Sequence, residues 1–221
     1  MNEPTPSPRG RSPPHTIPVF PLSGAMLLPG GQLPLNIFEP RYLRMIDDAL
    51  GGARVIGMVQ PRNQAGGPSP PLYAVGGAGR ITAFSETDDG RYLITLTGIR
   101  RFRIVDELET DAPYRQARVD WSAFASDGAP DASAEFVDRE RLLHAMRRYL
   151  DAEGLKTDWD SVKEAPTEAL VGSLAMGCPF APNEKQALLE AETTLDRAEC
   201  LTTLMEMSGA GEGGDENSTL Q

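Results

Sequence analysis

Arg100, Arg101 and Arg103 gather around Phe102, and a basic strip with an interleaved aromatic suits contact with a nucleic-acid backbone. Strand alternation places Phe102 on one side and Arg101 and Arg103 on the other. The same residues therefore also read as a solvated strand face paired with nearby acids. The formal charge of -11, from 21 Lys and Arg against 32 Asp and Glu, repels phosphate chains over most of the surface. Nucleic-acid contact would rest on this strip alone. A second charged pair, Glu39 and Arg41, flanks Pro40 in Phe38-Glu39-Pro40-Arg41-Tyr42. There the proline fits the first helical turn and a carboxylate favours the positive end of the helix dipole, so the five residues read as a strand handing over to a helix.

Catalytic groupings do not assemble. Gly76-Gly77-Ala78-Gly79 lacks the lysine of a phosphate loop and is flanked by strand-like residues, so it reads as a bend in a strand. Lys156, Lys163 and Lys185, the three lysines, lie outside any Ser-Lys protease motif. No G-x-S-x-G elbow accompanies His15 or His144, as a hydrolase triad would require. Cys178, Cys200 and His144 do not have zinc-ligand spacing. The expectation is a protein without catalytic residues, metal or cofactor.

What remains is apolar surface. The segment from Ser23 to Gln32 is short and rich in Pro and Gly, which leaves little means of burying every apolar side chain in it. Met26, Leu27, Pro29 and Leu33, with Pro61 from a later loop, are the candidate contacts for a partner. The competing reading makes Met26 and Leu28 ordinary core and leaves Pro29 showing.

The elements that must position these residues follow from periodicity. Ile17 to Tyr42 contains two short strand-like runs before its Phe-Glu-Pro-Arg-Tyr end, and 41–50 has helical spacing stopped by Gly51-Gly52. Val55 to Val59 is apolar throughout, as in a strand covered on both faces. From Leu72 to Leu108 the pattern is β, with a turn at Thr87 to Gly90. Tyr92, Ile94, Leu96, Phe102 and Ile104 share one parity, and Gly98 marks a bulge or corner. A half-exposed strand spans Tyr114 to Trp121. Beyond Asp127 to Asp131 the period becomes helical, predicting one helix from Phe136 to about Glu153, a second from about Pro166, and a third from Pro182 to about Met207. Residues 1–16 and 208–221 are Pro-rich and Gly-rich acidic tails in which no order is expected. The chain thus reads as α+β, with a barrel over 17–125 and a bundle over 130–207. Two distant cysteines and the absence of a leader or a membrane-length apolar run suggest a cytoplasmic protein, monomeric by default.

Taken together, IPVFPLSGAMLLPGGQLPLNIFEPRY, DGRYLITLTGIRRFRIVDEL and the segment starting PFAPNEKQALLEA resemble the Lon N-terminal, or Lon substrate-binding, family in its stand-alone bacterial form. The resemblance implies a PUA-like mixed β-barrel followed by a helical bundle, and a non-catalytic module that binds polypeptides or acts as an adaptor. RNA binding, known for PUA-like barrels elsewhere, is the alternative. Asn36, Gly77 and Ala181 depart from the residues common in that family; Ala181 lacks the acceptor of a usual capping Ser, a loss of about 1 kcal/mol.

Overall fold

The computed structural model describes residues 13–62 and 70–208. The expected tails lie outside the described residues except at their inner ends, 13–16 and Ser208. The chain already pairs there: the His15 carbonyl accepts from Val119 N–H at 2.8 Å.

Among the described residues six strands and six α-helices follow in the order β1 (Thr16–Pro21), β2 (Gln32–Ile37), α1 (Pro40–Gly51), β3 (Val55–Val59), β4 (Val75–Glu86), β5 (Tyr92–Leu108), β6 (Gln116–Asp120), α2 (Arg139–Ala152), α3 (Trp159–Glu164), α4 (Thr167–Gly177), α5 (Pro182–Glu190) and α6 (Thr194–Ser208). The sheet runs β2-β5-β4-β3-β1-β6, and a β5–β6 pairing closes it into a barrel. The β1–β3 pairing is parallel and the others are antiparallel. β5 makes closure possible because its 17 residues pair along one edge with β4 and along the other first with β2 and then with β6.

A bulge in β5 sets which side chains meet. Ala78 pairs with Arg100 and Gly79 with Gly98, so Ile99 is the extra residue and the parity inverts across it. Leu96 and Phe102, expected on one face, therefore enter different cores. Phe102 joins Ile17, Val19, Val55, Ala117 and Val119 inside the barrel. Leu96 joins Phe20, Ile56, Met58 and the buried face of α1 on the outer side. β3 is buried at all five positions because it separates these two cores.

α1 begins as expected, with Pro40 at its start and Glu39 preceding it. It is fastened to the barrel by Tyr92 Oη donating to Asp47 at 3.1 Å and by Tyr114 Oη donating to Asp48 at 2.8 Å. Phe136 does not lie on α2: it sits in a preceding 3-10 turn, 75% exposed, because Asp138 caps the helix by accepting from Arg141 N–H. The expected third helix is two. Thr193 and Asp196 form a reciprocal cap, Thr193 N–H donating to the Asp196 carboxylate at 3.1 Å and Asp196 N–H to Thr193 Oγ1 at 3.1 Å, and this restarts the chain as α6. At Ala181 the missing acceptor is offset from the other side, since Ala181 N–H donates to Glu184 Oε2 at 2.8 Å.

Bundle and barrel are joined through buried polar groups. Arg101, 4% exposed, forms a fork on Asp127 through Nη2 at 2.8 Å and Nε at 3.0 Å, and its Nη1 donates to the Leu189 carbonyl at 3.0 Å. Its backbone N–H also donates to Asp127, at 2.8 Å, and its guanidinium lies 4.5 Å from the Phe124 ring centroid. Gln60 links the same two parts, donating to the Pro182 carbonyl at 2.9 Å and accepting from Gly24 N–H at 3.0 Å. Met26, Leu28 and Val75 of the barrel complete the apolar core of the bundle.

Removing one member of a buried ion pair leaves the other uncompensated. Arg101→Met and Asp127→Ala should each lower stability by about 3–5 kcal/mol in urea titrations, and the double variant by clearly less than the sum. Arg101→Lys should not restore stability, because one ammonium cannot span the carboxylate and the α5 carbonyl. Asp131 supplies a pH dependence. Burial pushes its carboxyl up, but the N–H groups of Thr194 and Ser133, donating at 2.6 and 2.9 Å, outweigh this and hold it down to about 2. A carboxyl below its unfolded value of about 3.9 contributes fully above that value and loses its contribution as pH falls toward the folded one. Asp131→Asn should therefore flatten the decline of stability between about pH 4 and pH 2.

Candidate functional site

The loop between β1 and β2 does not project. Met26, Leu27 and Leu28 are only 2, 1 and 4% exposed. Two glycines in the sheet explain this: a Cβ at Gly77 would fall 1.9 Å from the Leu27 carbonyl oxygen, and one at Gly98 would fall 1.9 Å from that of Leu28. The loop backbone thus lies directly on the sheet at positions that tolerate no side chain. Met26 and Leu27 are core residues, which removes them from the expected contact surface. Leu27 packs with the α1-side core, and Met26 and Leu28 pack with the bundle.

Past Leu28 the same loop turns outward. Half-buried Pro29 and Leu33 line one wall of a groove of about 630 Å³, and α4 supplies the other through Ala169, Gly172, Ser173 and Met176. Its lining is apolar or small except for Gln32, Ser173 and Glu168. Pro61 is elsewhere, in a groove of about 870 Å³ beside Tyr42, Tyr114 and Arg115. The structure therefore brings Pro29 and Leu33 together and separates Pro61 from them. The α4 wall carried no sequence signal beyond a helix of small residues.

The charged candidates take other positions. Arg101 points away from the barrel interior as alternation requires, yet it is not solvated, because the bundle docks on that face. Arg103 is exposed and Arg100 half-buried, so the strip lacks its central cation. Glu39 and Arg41 pair with each other at 2.8 Å, both half-exposed, and do not tie α1 to the barrel. Tyr42 does so: it is buried, 4.2 Å from the Phe20 ring centroid, and burial, followed by opposing effects of Arg41 and Glu39, raises its hydroxyl pKa. Phe38 is 62% exposed and takes no part in that packing.

Burial pushes the Cys178 thiol up to about 11, which leaves little nucleophilic thiolate at neutral pH. Lys185 is lowered by burial, and its Nζ donates to the Ala175 carbonyl at 3.1 Å, closing the end of α4. Among the described residues no cluster of His, Cys, Asp or Glu is arranged to hold a metal, and no helix is long and apolar enough to cross a membrane.

The family model for the ATP-dependent protease La (LON) substrate-binding domain matches residues 16–207. The chain belongs to this family. Lon protease 2 of Sorangium cellulosum is 31% identical over 207 residues, covering 85% of this chain and 24% of that protein. The Lon protease of Dictyoglomus thermophilum is 30% identical over 202 residues, again spanning 24% of its length. The chain thus spans about a quarter of the length of these relatives. The fold is also that of solved Lon N-terminal domains. A Lon N-terminal domain protein from Xanthomonas campestris matches with a TM-score of 0.61 and 23% identity over 85% of this chain and 97% of its own. The N-terminal domain of Lon protease from Mycobacterium avium complex gives 0.63 and 17% over 86 and 97%.

Two glycine substitutions separate the loop seat from the groove. Gly98→Ala should destabilise by about 1–3 kcal/mol in urea titrations, because the Leu28 carbonyl must move. At Gly172, where a Cβ meets nothing within 4 Å, Ala should be neutral or stabilise by up to about 1 kcal/mol while narrowing the groove.

Proposed function

We propose that this Lon substrate-binding-family chain is a non-catalytic module that captures polypeptide segments in the groove between the Pro29–Pro34 loop and α4, in the manner of an adaptor. The observation that carries this reading is the groove itself: it is apolar, lies between barrel and bundle, and among the described residues contains Glu168 as its one ionisable lining residue. An apolar channel with few polar groups suits contact with the side chains that unfolding exposes. Family membership supports the same reading, since the matched domain is described by its substrate binding.

The test is fluorescence anisotropy with a labelled, reduced and alkylated unfolded protein. Ala169 and Ser173 are exposed on α4, so Ala169→Glu and Ser173→Glu should leave urea stability within about 0.5 kcal/mol. Each should weaken binding by about tenfold or more by placing a charge on the apolar wall. No saturable binding by the folded parent protein, or unchanged binding by both variants, would contradict this placement.

A further inference from the structure

Among the described residues β2 has a single neighbour in the sheet along its whole length, whereas the remaining strands close on themselves through the β5–β6 pairing. Its register on β5 determines which main-chain groups are occupied. Gly98 N–H donates to the Gly31 carbonyl at 2.8 Å. Antiparallel alternation then turns the peptide groups of Leu33, Leu35 and Ile37 toward β5 and those of Gln32, Pro34 and Asn36 away from it. Pro34 fits this assignment, since an edge-facing position is where a missing N–H costs the ladder nothing. Gln32, Pro34 and Asn36 are exposed, and among the described residues no backbone hydrogen bond reaches their outward groups.

This edge adjoins apolar surface at both ends. Gln32, Leu33 and Pro34 border the α4 groove. Pro34 and Asn36 border a shallower depression of about 490 Å³ that includes the exposed side chains of Phe84 and Leu93. Six residues of strand offer about 20 Å of edge, enough for a segment of similar length. The charge of the occupant follows from its surroundings: Glu168 stands in the groove, and the chain as a whole carries -11.

We infer that the outer edge of β2 takes an extended, apolar, Lys- or Arg-bearing polypeptide segment by strand addition, main chain to main chain. This rests on the polypeptide-binding reading above and specifies its mode. Backbone pairing supplies affinity without regard to sequence, while the flanking apolar surfaces select alternate side chains. Pro34 limits self-pairing of β2 by removing one donor from the edge. The donors at Gln32 and Asn36 remain available to a guest strand.

The decisive probe is a labelled nonapeptide alternating valine with threonine and carrying one lysine. It is compared with two versions bearing N-methyl groups on alternate residues, one for each edge of the peptide. Strand addition predicts that methylation of one edge weakens binding about tenfold or more while methylation of the other is tolerated. Asn36→Pro should weaken the unmethylated peptide similarly, with an unchanged urea midpoint because Asn36 donates nothing to β5. If all three peptides bind the parent protein alike, strand addition is overturned while polypeptide binding stands. If neither the nonapeptide nor the unfolded protein binds, the underlying reading falls as well. A dimer in sedimentation that Asn36→Pro dissolves would assign the edge to a second copy of the chain and overturn the inference.

Discussion

One guanidinium holds the molecule in its shape. Arg101 sits where the far edge of β5 passes from β2 to β6, a stretch with no neighbouring strand to accept its main chain. Asp127 fills that gap, accepting from both the backbone and the side chain of Arg101. The remaining donors reach the end of α5, which orients the bundle against the barrel. A lysine could satisfy one of these directions; the planar fork of arginine meets them together. The bulge at Ile99 matters for the same reason, because it aims residue 101 at the bundle while Phe102 fills the barrel.

The bundle answers with buried polar side chains closing helix ends. Arg197 donates to the Leu188 carbonyl at 2.9 Å and the Ala191 carbonyl at 3.0 Å. Burial, followed by repulsion from Arg101, lowers Arg197 to about 10. Gln186 donates to the Val75 carbonyl at 3.1 Å, and no buried side-chain nitrogen or oxygen among the described residues is left without a partner. Such satisfied networks fix one relative orientation where apolar contact alone would permit several. That orientation places α4 opposite the Pro29–Leu33 segment and so creates the groove.

Much of this was legible in the sequence. The strands, the Pro40 helix start, the bend at Gly98 and the change to helical period all rest on local signals. The burial of Leu27 was not, and that of Met26 and Leu28 stood only as the competing reading, because the loop seat depends on Gly77 and Gly98, which are distant in sequence and carry no side chain to announce the contact. The burial of Arg101 escapes the sequence for a related reason: alternation tells which way a side chain points but not what arrives there from residues 88 or more positions away. The break between α5 and α6 did have a local mark, the Thr193 and Asp196 box, outweighed by an apolar pattern that continues in register across it. The α4 groove wall is legible only after the bundle has been docked.

The separation between Arg101 and its acceptors also sets an order of events during synthesis. The Leu189 carbonyl follows Arg101 by 88 residues, so at 5–20 residues per second the nascent barrel waits roughly 4–18 s for its partner. Throughout that interval the guanidinium is without its helical acceptors, and Met26, Leu28 and Val75 lack the bundle that covers them. For those seconds the newborn chain leaves open apolar surface that the finished fold covers.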